Sequence, residues 1–210
     1  LQWGGSHRRR GHPACNDPVV GLPLLSRGAP RIARSYPHPT EGMKNMTAAQ
    51  YSRRITSIER GYLNAATQGD NPIISFVIEG RGRLDPQELE RAIVVTSRAN
   101  PGLSVARKGK LWLGTGEPPA LEVHTTGAGE EWTDHPFLHT PLDLVHGPVA
   151  SVGLISDGHV DRLVIRVSHA VADGRGIERW TDDLFRALRG EEPAGSTSTV
   201  TDQYFLSKAR

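Results

Sequence analysis

VASVGLISDGHVDRLVIRVSHAVADG, residues 149–174, is the stretch of this sequence that decides the fold. Strand-like runs lie on both sides of Asp157-Gly158, and Leu163, Ile165 and Val167 alternate along the second run, a pattern typical of two antiparallel strands joined by a tight turn. The apolar run ends at Val167, and the next residues read SHAVADG. The stretch therefore predicts a β-hairpin whose second strand brings His169 to a defined position.

A helix is predicted directly after this stretch, ending near Gly190. Its apolar residues recur at spacings that put them on one helix face: Ile177, Trp180, Leu184, Phe185 and Leu188. Burial of such large side chains would hold the helix against a sheet. The beginning of the helix, with Asp173 and Gly174, is therefore expected to be rigid.

The sequence before the hairpin alternates between helical and strand patterns. Asp85 precedes Pro86, a favourable pair for a helix start, and Asn100-Pro101 ends that helix. The other predicted elements are a helix over Thr47 to Ala65, a strand over Ile73 to Gly80, a hairpin around Lys108-Gly109 and a short strand over Leu121 to His124. Together they predict an α/β (α+β) fold, a two-layer sandwich with a largely antiparallel sheet and helices on one face.

Composition excludes several classes of protein. The chain has 210 residues, 37% hydrophobic and 23% charged, which is typical of a globular protein. Residues 1–42 carry a net charge of +4 and residues 43–210 a net charge of −2, so the folded part offers no basic surface for nucleic acid. No apolar run is long enough to predict a membrane-spanning helix. Cys15 is the single cysteine, which excludes an internal disulfide and favours a cytoplasmic setting.

The chain divides into three segments. Residues 1–45 are rich in Gly and Pro and show no periodicity, which predicts a disordered extension or a non-native segment translated upstream of a start at Met43 or Met46. Residues 46–190 hold the predicted elements and form the expected domain. Residues 191–210 begin with a polar stretch rich in Ser and Thr, and we interpret them as a linker.

His169 is the candidate catalytic residue. A neutral imidazole can take a proton from an alcohol, amine or thiol. Successive side chains of a strand point to opposite faces, so Ser168 and His169 are not expected to form a nucleophile pair. Asp173 would brace the turn, and Gly174 would let a substrate pass close to the backbone. The alternative is a packed histidine followed by an ordinary Asp-Gly turn that caps a helix.

A metal site is the weaker candidate. His135, His139 and His146 include one four-residue spacing that suits metal binding on a helix. Pro136 and Pro141 oppose a continuous helix there, and no carboxylate or thiolate is spaced to complete a ligand set. The sequence therefore predicts no bound metal.

HAVADG resembles the His-x-x-x-Asp-Gly motif of the chloramphenicol acetyltransferase-like superfamily, which includes condensation domains of nonribosomal peptide synthetases and polyketide-associated acyltransferases. LDPQELERAIVVTSRANPGL, residues 84–103, resembles the first long helix of condensation-type members. PLDLVHGPVASVGLI, residues 141–155, resembles the segment that precedes their motif. The resemblance covers about residues 47–190 and corresponds to the N-terminal lobe of such enzymes.

The resemblance implies an acyltransferase. His169 would deprotonate a hydroxyl or amine acceptor as it attacks an acyl thioester, carried by coenzyme A or by the phosphopantetheine of an acyl carrier protein. Asp173 would support the site through a salt bridge, together with Gly174, and no bound cofactor or metal is implied. Ser168 stands where many members have a first histidine.

Condensation-type members have a second lobe that this sequence lacks. The chain is therefore expected to be a fragment of a two-lobed enzyme, or to associate with a second copy that rebuilds the substrate tunnel. The remaining alternative is a catalytically inactive module of the same fold that docks a carrier protein.

Overall fold

The computed structural model describes residues 51–69, 72–127 and 130–199. Within these ranges the chain forms seven β-strands and four α-helices. In chain order they are β1 (Ser52–Arg54), α1 (Ser57–Thr67), β2 (Ile73–Arg81), α2 (Pro86–Ala99), β3 (Val105–Lys108), β4 (Leu111–Gly114), β5 (Leu121–Thr125), α3 (Pro136–His139), β6 (Ala150–Ser156), β7 (Val160–Ser168) and α4 (Gly174–Leu188).

The predicted hairpin forms the centre of a four-stranded sheet with the order β2-β7-β6-β5. Strands β6 and β7 are antiparallel, with Leu154 opposite Leu163, and β2 pairs antiparallel with the other side of β7. Strand β5 runs parallel to β6 at the far edge. The expectation of a largely antiparallel sheet is confirmed.

Helices α2 and α4 pack side by side on one face of this sheet. The main core lies between them and the sheet, and its most buried residues are Leu89, Ile93, Val152, Leu163, Ile165, Val167, Ile177, Trp180 and Leu184. Every second residue of β6 and β7 points into this core from the sheet, and the apolar faces of α2 and α4 line it from the helix side. The two-layer arrangement predicted from these patterns is confirmed.

A second, three-stranded sheet has the order β1-β4-β3, and here the predicted helix over Thr47 to Ala65 is wrong in part. Strand β1 occupies part of that range, and Ser52 pairs with Leu113. The helix begins only at Ser57, where Thr56 and Glu59 form a reciprocal capping box. A strand of three residues is too short to show a periodic pattern. Its pairing partner lies about sixty positions away in the chain, so neighbouring residues gave no sign of it either. Residues 47–50 lie outside the described ranges.

The loop after β7, residues 169–173, lies where two cores meet. Ala170 is buried in a second cluster that includes Leu63, Val105 and Trp112, between α1 and the three-stranded sheet. Val171 contacts both this cluster and the main core. Packing on two sides therefore fixes the backbone that follows His169.

Two of the predicted segments lie at the ends of the chain. Residues 1–45 are outside the described ranges. Residues 191–199 run against the domain, where the Ser196 amide donates to the Ala99 carbonyl at 2.9 Å. The domain bounds 46–190 and the linker beyond them stay predictions. Among the described residues, each helix is too short or too polar to cross a bilayer.

Candidate active site

The backbone of His169 continues the sheet beyond β7. Its amide donates to the carbonyl of Pro72 at 2.8 Å, one step past the pair formed by Ile73 and Ser168. Ser168 is completely buried, and its amide donates to Val149 at 3.0 Å. His169 itself is only partly buried. The strand therefore presents the imidazole at its end, while Ser168 is turned into the protein.

Tyr62 of α1 lies against the imidazole of His169. The two ring centroids are 4.3 Å apart and the ring planes differ by 13°, which is a stacked arrangement. The Tyr62 hydroxyl oxygen is 3.4 Å from Nε2 of His169. Nδ1 is buried and has no hydrogen-bond partner among the described residues. Burial therefore excludes Nδ1 from contact with another molecule.

Arg53 ties the loop after His169 to helix α1. Its guanidinium donates to the carbonyl of Val171 at 3.1 Å and forms an ion pair with Glu59. The side chains of Arg53 and Glu59 are only 11% and 15% exposed. A largely buried, charge-assisted contact of this kind restrains the loop more firmly than a surface ion pair would.

Asp173 acts as the N-cap of α4. Its carboxylate accepts a hydrogen bond from the amide of Gly176 at 2.8 Å. Among the described residues Asp173 forms no ion pair, so the implied salt bridge is absent there and the cap takes its place. Arg53 of β1, which donates to the carbonyl of Val171 on the same loop, is engaged with Glu59.

Gly174 is exposed at the first position of α4. A methyl group added there would meet no atom of the described chain within 4 Å. The space in front of Gly174 is thus open. Its role, like those of His169 and Asp173, stays a prediction.

The three histidines considered for metal binding have separate partners. Nδ1 of His135 accepts from the amide of Phe137 at 3.2 Å, and Nε2 of His139 is 3.1 Å from the carbonyl of Thr133. His146 pairs with Asp143 at 2.8 Å. In the described ranges no three His, Cys, Asp or Glu side chains come together as a metal site.

His124 contacts His135, a pair that the sequence analysis did not identify. Their ring centroids are 4.3 Å apart. Burial lowers the pKa of His124, and a positive charge on His135 lowers it further, while Glu122 acts in the opposite direction. Spacing in sequence gave no indication of this contact, because β5 and the residue before α3 meet only in the folded chain.

Two of the surface concavities in the described part of the chain lie away from His169. One is lined by Arg83–Gln87 at the beginning of α2. The other is lined by Thr125, Thr126, Glu130, Glu131, Asp134, His135 and Pro136. His169 lines neither of these two concavities.

The sequence analysis missed Tyr62 and Arg53. Tyr62 lies 107 positions before His169, and Arg53 lies 118 positions before Val171. An aromatic residue on a helix and an arginine in a short strand are common in any protein. Only the packing of β1 and α1 against the end of β7 and the following loop brings them to the site.

Comparison with known proteins places the fold. No family model and no curated protein sequence matches the chain. Solved structures do match. A mutant of the starter condensation domain of the rhizomide synthetase RzmA aligns over 75% of this chain and 43% of its own, with 16% identity and a TM-score of 0.58. The epimerization domain from the third module of tyrocidine synthetase B aligns over 75% and 40%, with 16% identity and a TM-score of 0.59.

This chain has the fold of part of a condensation domain. The cyclization-docking bidomain of the synthetase EpoB from Sorangium cellulosum matches as well, over 78% of this chain and 37% of its own, with 15% identity and a TM-score of 0.58. The resemblance deduced from the sequence is thereby confirmed at the level of the fold. The chain spans about two-fifths of the length of these condensation, epimerization and cyclization proteins.

Proposed function

We propose that this chain is one half of a condensation-type acyltransferase in which His169 is the general base. The observation that carries the proposal is the placement of His169. In a condensation-domain fold, the sheet backbone holds this residue at the end of β7, and the residue as a whole is only partly buried. A buried Nδ1 leaves Nε2 as the nitrogen that would face the reactants.

The proposed reaction transfers an acyl group from a thioester to a hydroxyl or amine. The acceptor oxygen or nitrogen attacks the thioester carbonyl while Nε2 of His169 takes its proton. The new C–O or C–N bond forms, the C–S bond breaks, and the proton passes from the imidazolium to the departing thiolate. General-base catalysis of this kind contributes about 10²- to 10⁴-fold to a rate.

The proposed donor is an acyl group on the phosphopantetheine of a carrier protein or on coenzyme A. The matched proteins include condensation and cyclization domains of peptide synthetases, and this favours a carrier protein as the partner. The acceptor would be a small molecule or a second carrier-bound substrate. No resident cofactor or metal takes part in the proposed step.

The proposed activity needs a second half. The chain spans about two-fifths of the matched structures, and His169 lines neither of the two concavities described above. The missing wall would come from a continuation of the same polypeptide, from a separate chain or from a second copy.

Substitution of His169 tests the proposal. We expect His169→Ala to lower the rate of thiol release from an acyl thioester by about 10²- to 10⁴-fold in the longest open reading frame that contains this chain. His159→Ala is the matched control, because His159 is exposed in the turn of the same hairpin. Equal rates for His169→Ala and the wild type would refute the proposal.

The second candidate function is a catalytically inactive module that docks a carrier protein. It is favoured by the location of both described concavities away from His169. Carrier-protein binding that is unaffected by His169→Ala, with no turnover in the wild type, would support this alternative.

A further inference from the structure

We infer that Tyr62 is a positioning residue for His169: it fixes the plane of the imidazole by stacking, and its hydroxyl group is dispensable. The inference rests on the proposed role of His169 as a base and names the residue that would orient it. The carrying observation is the stacked pair, with ring centroids 4.3 Å apart and planes within 13°.

The geometry distinguishes stacking from a hydrogen bond. Two nearly parallel rings with centroids 4.3 Å apart must lie face to face, because coplanar rings placed side by side would collide at that separation. The Tyr62 oxygen, 3.4 Å from Nε2, therefore lies above the face of the imidazole. The lone pair or hydrogen of Nε2 lies in the ring plane. Tyr62 thus leaves free the direction in which an acceptor would approach.

No hydrogen bond to Nδ1 from the described residues fixes the plane of the imidazole. Histidine bases are commonly oriented by a carboxylate or carbonyl that binds the second ring nitrogen. Here Nδ1 has no such partner among the described residues. The torsion that rotates an imidazole about its Cβ–Cγ bond has broad minima, so a ring without a hydrogen bond needs packing to hold it. Stacking on Tyr62 provides that packing.

Helix α1 carries Tyr62 on a firm support. Leu63, the next residue, is buried in the cluster that also holds Ala170. Glu59, one helical turn earlier, binds the same Arg53 that donates to Val171. Two contacts therefore hold α1 to the loop after His169: Leu63 packs in the same cluster as Ala170, and Arg53 joins Glu59 to Val171.

The stacking is tested first by NMR on the 210-residue chain, with no requirement for activity. Protons above the face of an aromatic ring are shielded, so the imidazole protons of His169, assigned with His169→Gln, should lie upfield. We expect Tyr62→Leu to move them downfield and Tyr62→Phe to leave them in place. Tyr51→Leu is the matched control, since Tyr51 belongs to the same cluster without stacking on His169. Unchanged shifts in Tyr62→Leu would overturn the inference.

The positioning role is tested by kinetics in the longest open reading frame that contains the chain. We expect Tyr62→Leu to lower kcat by about 10- to 100-fold, because small misplacement of a catalytic group has effects of this size. KM should stay unchanged, and Tyr62→Phe should behave as the wild type. An equal loss of kcat in Tyr62→Phe would overturn the inference by assigning the role to the hydroxyl.

The two tests separate the inference from the proposed function. If Tyr62→Leu shifts the His169 protons but His169→Ala has no effect on rate, the proposed function fails and the stacking that orients the ring is upheld. If His169→Ala abolishes transfer while Tyr62→Leu retains full kcat, the proposed function stands and the positioning role is refuted.

Discussion

Gly153 shows how a single residue without a side chain shapes the second face of the sheet. The ring of Phe137 lies directly against it, and a methyl group at Gly153 would collide with the ring atoms. Phe137 is 4% exposed and packs with Ile155 and Val164 on the face away from α2 and α4. A rigid ring cannot move aside as the end of a flexible side chain can.

We therefore expect Gly153→Ala to destabilise the protein by about 1–3 kcal/mol, the usual cost of overpacking. Gly61→Ala is the control, because a methyl group at that position on α1 meets nothing within 4 Å and favours the helix by up to about 1 kcal/mol. Urea denaturation of the two variants measures both changes. Equal stability of Gly153→Ala and the wild type would show that the ring can repack.

The N-terminus of α4 is the element on which the candidate site depends. Asp173 caps it through the amide of Gly176, and Ile177, Trp180 and Leu184 bury the following turns in the main core. The helix therefore begins at a fixed point immediately after the loop that carries His169. A cap needs a short side-chain oxygen, whereas a salt bridge needs the charge.

Substitutions that separate these two roles give a prediction for Asp173. We expect Asp173→Ala to cost about 0.5–2 kcal/mol and Asp173→Ser to retain nearly full stability, because serine caps a helix as well as aspartate does. Thermal unfolding of both variants provides the measurement. A loss in Asp173→Ser as large as that in Asp173→Ala would indicate that the negative charge, and hence an ion pair, is what matters.

The last described segment of the chain, residues 191–199, packs against α4 and the end of α2. Asp183 of α4 is buried, and its carboxylate accepts hydrogen bonds from Asn100 at 2.8 Å, Ala194 at 2.7 Å and Gly195 at 2.9 Å. This one side chain joins α4, the end of α2 and residues 191–199. Burial alone would raise the pKa of Asp183, but the hydrogen bonds from Asn100 and the two amides outweigh burial and lower it.

Asp183 should therefore contribute to acid sensitivity. A carboxyl group whose pKa is lower in the folded chain stabilises the fold above its unfolded pKa of about 3.9, and this contribution disappears as the pH falls through the folded value. We expect Asp183→Asn to be less stable at neutral pH by about 1–3 kcal/mol, since its amide group would face hydrogen-bond donors.

The free energy of unfolding of Asp183→Asn should also fall less steeply than that of the wild type between about pH 5 and pH 2. Asp182→Asn, at the exposed neighbouring position, serves as the control. Denaturant titrations across this pH range make the comparison. Parallel curves for Asp183→Asn and the wild type would contradict the prediction.

The patterns that were interpreted correctly are local ones. Two strand-like apolar runs on either side of Asp157-Gly158 are enough to specify the hairpin, because the turn residues between them bring the runs together as antiparallel strands. Asp85 and Pro86 mark the beginning of α2, and the apolar face of α4 follows from its spacing. The short β1 escaped prediction because three residues have no period, and its pairing with β4 is the only reason that it is a strand.

By itself, the sequence determined the two-layer sandwich and the positions of His169, Asp173 and Gly174 between β7 and α4, because these depend on periodicity and on neighbours within a few positions. The condensation-domain fold was expected from the resemblance of HAVADG and two earlier segments, and the matched structures confirm it. Only the tertiary structure decided what surrounds the imidazole. Tyr62, which stacks on the imidazole, and Arg53, which binds the carbonyl of Val171, come from elements more than one hundred positions away. These contacts form when β1 and α1 pack against the end of β7. They cannot be predicted from a local pattern, because the residues that make them are far apart in the sequence.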